Sequence, residues 1–114
     1  MPGAGPAGSG AAAAEPKGFM PAGAVDRVPR IITPAPLRYP EQARRNNLEA
    51  TVTLEADIDA QGRVVDVRVV KPAGFGFDEA AAAYVRGSVF SPAFVGATPV
   101  GVIMRISVVF TLTD

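Results

Sequence analysis

The chain has no cysteine and no histidine among its 114 residues. The missing thiols and imidazoles exclude cysteine nucleophiles, disulfides and most zinc sites, and they remove the commonest general base. Lack of cysteine also suits a chain that works in an oxidising space. No run approaches the ~20 apolar residues of a membrane span. Residues 11–14 are too short and too weakly apolar for a signal-peptide core, and no basic stretch precedes them. An excess of charge is missing too. Residues 37–114 hold eight basic and nine acidic side chains. A phosphate-dominated partner needs a clustered basic face, so nucleic acid is not an expected partner.

What is present divides the chain in two. Residues 1–30 are mostly Gly, Ala and Pro and read as a flexible linker, because small residues bury too little surface to offset the entropy of ordering. A coil of that length spans roughly 30 Å. Residues 31–114 read as one small domain, with most of the Val, Ile, Leu, Phe and Tyr. Pro29, Pro34 and Pro36 make its approach stiff and extended.

Within the domain, Tyr39-Pro40 precedes a short helix, with Glu41 at its positive end and Arg44 and Arg45 at its negative end. Asn46 or Asn47 supplies a left-handed stop. The first long strand covers 51–58. Val52, Leu54, Ala56 and Ile58 point inward, and Thr51, Thr53, Glu55 and Asp57 point to water. Asp59-Ala60-Gln61-Gly62 makes a tight hairpin turn. The second strand covers 63–71, with Val65, Val67 and Val69 inward. A helix over about 77–88 presents Phe77, Ala81, Tyr84, Val85 and Ser88 on one face, and Phe90 completes the core below it. The third strand covers about 100–113, with Val102, Met104, Ile106, Val108, Phe110 and Leu112 inward.

These elements describe an α+β fold. It has a small three-stranded antiparallel or mixed sheet of order 2-1-3 and two helices on one face. The third strand is then a long apolar edge, and such edges aggregate unless they are covered or used.

The candidate chemistry is thin. Asp57-x-Asp59-x-Gln61-Gly62 is similar to the start of a calcium loop, but Arg68 stands where a bidentate acid is needed. Asp78 and Glu79 splay apart at a helix start and favour its dipole rather than forming an acid–base pair. Arg44-Arg45-Asn46-Asn47 lacks a Gly-rich cradle and reads as a solvated helix end. No enzyme activity, cofactor or metal is expected. Two readings stay open for Tyr39, as a staple packed on the sheet or as the wall of a groove beside the third strand. Arg105 is either a charge that protects the edge or a contact to a partner strand.

An ordered motif series carries a resemblance. It comprises Tyr39-Pro40 with Ala43-Arg44, Glu49-Ala50-Thr51-Val52, Asp59-Ala60-Gln61-Gly62-Arg63-Val64, Asp66-Val67 with Val69-Val70, and Phe77-Asp78-Glu79-Ala80-Ala81. Phe90-Ser91-Pro92-Ala93 and Gly96-Ala97-Thr98-Pro99-Val100 complete it. Over about 34–114 the chain resembles the TonB C-terminal domain family. It departs from that family at three places. Val89 stands where a Trp is usual, Asn46-Asn47-Leu48 where a Gly is usual, and Gly96-Ala97-Thr98-Pro99 where a Gly-Lys-Pro turn is common.

The resemblance implies energy transduction in the periplasm. An inner-membrane anchor outside these residues and an ion-driven motor complex would drive the domain. The domain would grip an extended segment of an outer-membrane receptor or transporter by edge-strand addition. The partner-binding residues are then Val102, Ile103, Met104, Arg105, Ile106, Ser107, Val108 and Val109, flanked by Pro36, Arg38, Tyr39 and Pro40. Two alternatives stand beside this. One is service in another envelope machine, for motility or secretion, suggested by the altered turn and Val89. The other is a structural module that binds peptidoglycan or forms a weak homodimer by edge pairing. Ile31-Ile32-Thr33 is β-prone and is expected to be able to cover the third strand when no partner is present.

Overall fold

A computed structural model describes residues 18–112. The Gly-rich start of the expected linker, residues 1–17, and the expected strand end at Thr113 lie outside the described residues. In chain order the elements are β1 (Phe19–Pro21), a 3-10 turn (Ala22–Ala24), β2 (Ile31–Thr33), α1 (Glu41–Arg45), β3 (Ala50–Ile58), β4 (Val64–Lys71), α2 (Phe77–Gly87), β5 (Val89–Phe90), β6 (Ala93–Val95) and β7 (Thr98–Phe110).

The main sheet runs β1-β7-β3-β4, and β6 also pairs with β7. The expected 2-1-3 order is the β4-β3-β7 part of this path. β3 is antiparallel to both neighbours, and its pairing with β7 runs unbroken from Ala50↔Phe110 to Ile58↔Val102. Val52, Leu54, Ala56 and Ile58 are fully buried on one face. α2 lays Phe77, Ala81 and Val85 on them, and α1 adds Ala43 to the same core. Phe90, Val102, Val108 and Phe110 close it, whereas Met104 and Ile106 are only half-buried.

The second long strand departs from strict alternation. Val67 is buried, but Val65 is 56 % exposed and Val69 is exposed as well. The register explains Val65, whereas Val69 keeps the inward register opposite the buried Leu54 and is exposed at the open outer side of the sheet. Ile58 pairs with Val64 and Asp57 with Asp66, so Val65 is an extra residue. Leu54 pairs with Val69 and Thr53 with Lys71, so Val70 is a second one. The bulge at Val65 shifts the inward set before it by one position, so the half-buried Val64 takes the place expected for Val65 against the core, and the bulge at Val70 shifts only the end of the strand at Lys71.

The turns follow their local chemistry. One Asp59 carboxylate oxygen accepts the N–H groups of Gln61 and Arg63, each at 2.9 Å. Gly62 holds φ +84°, and a Cβ there would stand 1.8 Å from the Phe90 carbonyl oxygen. Phe90 N–H also donates to the Gly62 carbonyl, so this turn is the point where the chain after α2 is fastened to the β3–β4 hairpin. Asn47, with φ 55°, is the left-handed stop after α1. Asp78 reaches back from α2 to accept the N–H groups of Ala73 and Gly74.

Two parts of the N-terminal half differ from expectation. The stretch expected to be linker through residue 30 carries packed elements from Phe19 on, since β1 pairs with β7 and Arg27 bridges to Phe94. Ile31-Ile32-Thr33 does form a strand, but it pairs with β5 and not with the third long strand. Ser88, Ser91 and Phe90 hold it there. Ala35 N–H donates to Ser88 Oγ, Arg30 N–H donates to Ser91 Oγ, and Ser91 N–H donates to the Arg30 carbonyl.

Burial sets a clear expectation for β7. Phe110→Ala should cost about 3–5 kcal/mol in a denaturant titration. Its exposed neighbour Val109, replaced by Ala, should stay within about 0.5 kcal/mol of the parent chain.

Candidate docking edge

The site begins with β7. On one side it is paired with β3 over nine positions. On the other side β1 covers Gly101, Val102 and Ile103. Among the described residues, no strand pairs with this outer side over residues 104–110. Backbone donors and acceptors along that length are therefore available to an added strand.

Side chains around the edge divide by face. Toward the helices, Met104 and Ile106 are half-buried and Val108 and Phe110 are buried. On the far face Arg105, Ser107 and Val109 are exposed. Glu55 stands directly across from Arg105 in register. Its carboxylate is instead held by Arg68 at 3.2 Å. Arg68 also holds Asp57 at 2.6 Å and Asp66 at 2.9 Å. Among the described residues Arg105 makes no ion pair, which leaves a cation beside the open edge.

Asp57 lies on the face expected to be wet, yet it is only 2 % exposed. Arg68 makes that burial tolerable by donating to both of its carboxylate oxygens. Hydrogen bonding to Asp57, opposed by partial desolvation and assisted by Glu55, raises the guanidinium's proton affinity further, so it stays charged throughout the accessible pH range.

Tyr39 sits at one end of the edge. Its ring packs edge-on to Phe77 at 5.7 Å and Phe110 at 5.8 Å, and those two rings lie 4.9 Å apart. Its hydroxyl donates to the Leu48 carbonyl, and the Arg44 guanidinium lies 5.9 Å from the ring centre. Partial desolvation, then the Glu49 carboxylate, raise the hydroxyl pKa above its usual value, with Arg44 opposing. Tyr39 is thus a staple that fastens α1 and the end of β7 to α2. The stretch containing Pro36 and Arg38 runs along α2. Ala35 lies against Gly87 near its C-terminus, and Pro40 lies against Gly76 at its N-terminus. Of the four flanking residues expected near the edge, the structure brings Tyr39 to Phe110, and Pro36, Arg38 and Pro40 follow the helix.

The small-residue composition of residues 1–30 conceals β1 and the ribbon that follows it. Phe19-Met20 is a pair of large apolar residues between Gly18 and Pro21 in an otherwise small-residue stretch, and that was the available signal. Beyond β1, Asp26 N–H and Arg27 N–H donate to the Phe94 carbonyl, and Phe94 N–H donates back to Arg27. Between this pairing and that of Arg30 with Ser91 lies an open cleft of about 530 Å³. The Arg27 guanidinium stacks on the Phe94 ring at its wall, 4.5 Å from the centroid.

This geometry defines a small α+β module, a curved sheet backed by two helices, with the outer side of β7 unpaired over residues 104–110 among the described residues. A family model described as Gram-negative bacterial TonB protein C-terminal matches residues 35–112, and the chain belongs to that family. The fold is similar to the solution structure of the Pseudomonas aeruginosa TonB C-terminal domain. That match has a TM-score of 0.62 and 21 % identity, and covers 78 % of this chain and 91 % of that one. A comparison with curated proteins returned no match. The family is one of periplasmic energy-transducing domains in Gram-negative bacteria, working between an inner-membrane motor and outer-membrane receptors. It is a binding family rather than an enzymatic one.

The hairpin turn offers a pH test. Partial burial works to raise the Asp59 pKa, but the N–H groups of Arg63 and Gln61 and the Arg63 charge outweigh it and hold it below 3.8. Its folded pKa is depressed, so its stabilisation is present above 3.8 and is lost as pH falls through the lower folded value. Asp59→Asn should lower stability at neutral pH and flatten the loss of stability below about pH 4, measured by urea titration across pH. Arg68→Ala should cost roughly 1–3 kcal/mol in the same measurement at pH 7, less than for a fully buried pair because Arg68 is partly solvated.

Proposed function

We propose that this domain grips an extended segment of an outer-membrane receptor or transporter along residues 104–110 of β7, and passes to it the pull of an inner-membrane ion-driven motor. The observation that carries this reading is the open outer side of β7 over residues 104–110; β4, at the other end of the sheet, is open too, but it is shorter and two bulges interrupt its register. Strand addition draws its affinity from main-chain hydrogen bonds and asks little of side chains, which suits a chain so poor in reactive groups. A strand pulled along its own length loads many ladder bonds together, so a weak site can still bear force. Arg105 adds a cation for acidic residues in the partner, and the Tyr39–Phe77–Phe110 cluster braces the loaded end. A tether to the inner membrane through residues preceding the domain belongs to this same proposal.

A second reading keeps the edge and changes the client to another envelope machine, for motility or secretion. Val89 supports it, because it is exposed at the place where the family usually has a Trp.

The test is an NMR titration of the chain with synthetic peptides from receptor N-terminal regions. Amides of residues 104–110 should shift and gain protection from exchange, and Arg105→Glu should weaken acidic peptides several-fold. If no peptide moves those amides, the docking reading fails. If receptor peptides are inert while the domain recovers motility or secretion proteins from envelope extracts, the second reading replaces the first.

A further inference from the structure

We propose that β1 is a resident stand-in for the partner's strand. On this view the notch at Gly101 selects an extended segment that carries an aromatic residue and adds parallel to β7. The proposal rests on the docking reading above and specifies what the edge prefers. β1 shows directly what the outer side of β7 accepts. Phe19 stands beside Gly101, Met20 beside Val102 and Pro21 beside Ile103, with both strands running the same way.

Gly101 shapes the contact. A Cβ there would lie 3.0 Å from the Gly18 carbonyl oxygen and 3.2 Å from a carbon of the Phe19 ring. Glycine inside a strand often marks a place where another backbone comes close, and here the second backbone and its ring are both visible. Any larger residue would push the incoming strand outward or displace its ring. Gly101 shares a face of β7 with Ile103 and Arg105, so the ring lies on the face away from the helices.

β1 is a weak occupant by construction. It pairs over only three residues, Pro21 has no N–H to donate, and the turn over Ala22–Ala24 leads the chain away before Met104. A segment entering at Gly101 and continuing to Phe110 would form a ladder that β1 cannot form. It would displace β1 by mass action, with its own aromatic residue taking the Phe19 place. The family match begins at residue 35, so the resident strand lies outside the part of the chain that it covers.

The test uses the full chain and a free peptide with the sequence of residues 17–25, beside a copy whose Phe is Ala. Phe19→Ala in the protein vacates the notch and lies outside the core. That variant should bind the Phe peptide at least tenfold more tightly than the parent chain, with shifts at Gly101, Val102 and Ile103. The Ala peptide should bind at least tenfold more weakly than the Phe peptide. A spin label on the peptide N-terminus should broaden amides near Gly101, as parallel addition requires. Gly101→Val, whose branched side chain fills the space of the ring, should erase the preference for the Phe peptide.

Equal affinity of parent and Phe19→Ala chains, equal affinity of the two peptides, or broadening near Phe110 would each overturn the proposal. If receptor peptides shift residues 104–110 while the Phe peptide never shifts 101–103, the docking reading stands and this proposal alone falls. If no peptide moves either set, both fall.

Discussion

The antiparallel pairing of β7 along β3 is the constraint on which everything else rests. Nine consecutive positions are matched, from Ala50 with Phe110 to Ile58 with Val102. Side chains in a strand alternate with a period of two, so this single register decides which face of β7 enters the core. It puts Val102, Val108 and Phe110 beneath the helices and Arg105, Ser107 and Val109 in water. It also consumes one side of the strand's backbone and leaves the other outward. The hydrophobic core and the open edge are two consequences of one alignment.

The ends of that alignment are secured differently. At the Phe110 end three aromatic rings meet, and the Tyr39 hydroxyl ties them to the Leu48 carbonyl. At the Val102 end Ile58, Val102 and Phe90 are buried in the core, and backbone pairings fasten the outer chain to them. Gly62 meets Phe90, β6 folds back on the start of β7, and β1 lies along residues 101–103. An apolar cluster resists local opening, whereas a short ladder near solvent opens more readily. The edge therefore has a braced end and an exchangeable end.

Charge on the face away from the helices is arranged around Arg68. One guanidinium serves Glu55, Asp57 and Asp66, and the nearly inaccessible Asp57 is acceptable because of it. The strength of that network comes from several charge-assisted bonds on one guanidinium and from the burial of Asp57, which a lone surface pair lacks. Its effect reaches the edge indirectly. By occupying Glu55, Arg68 leaves Arg105 with no ion pair among the described residues, beside the unpaired backbone.

Local sequence determined a good deal. The alternation of Val52, Leu54, Ala56 and Ile58 marks β3 and its inner face, because a half-buried strand requires that pattern. The Asp-Ala-Gln-Gly run marks the hairpin, because an aspartate cap and a positive φ at Gly62 are local demands. Phe77, Ala81 and Val85 mark the buried side of α2, and the motif order marks the family. Tertiary structure alone decided the rest. The bulges at Val65 and Val70 arise where the register of β4 must fit β3, and a run of β-branched residues does not reveal such a shift. Tyr39 resolved into a staple only when Phe77 and Phe110 closed around it. Which segment lies against β7 was undecidable from propensity. Ile31-Ile32-Thr33 is the better strand former, yet it was captured by β5, and Phe19-Met20-Pro21 reached the edge because Gly101 leaves room for it. Strand partnership depends on the space and the unpaired backbone that the rest of the fold presents, and neither exists until the chain has folded.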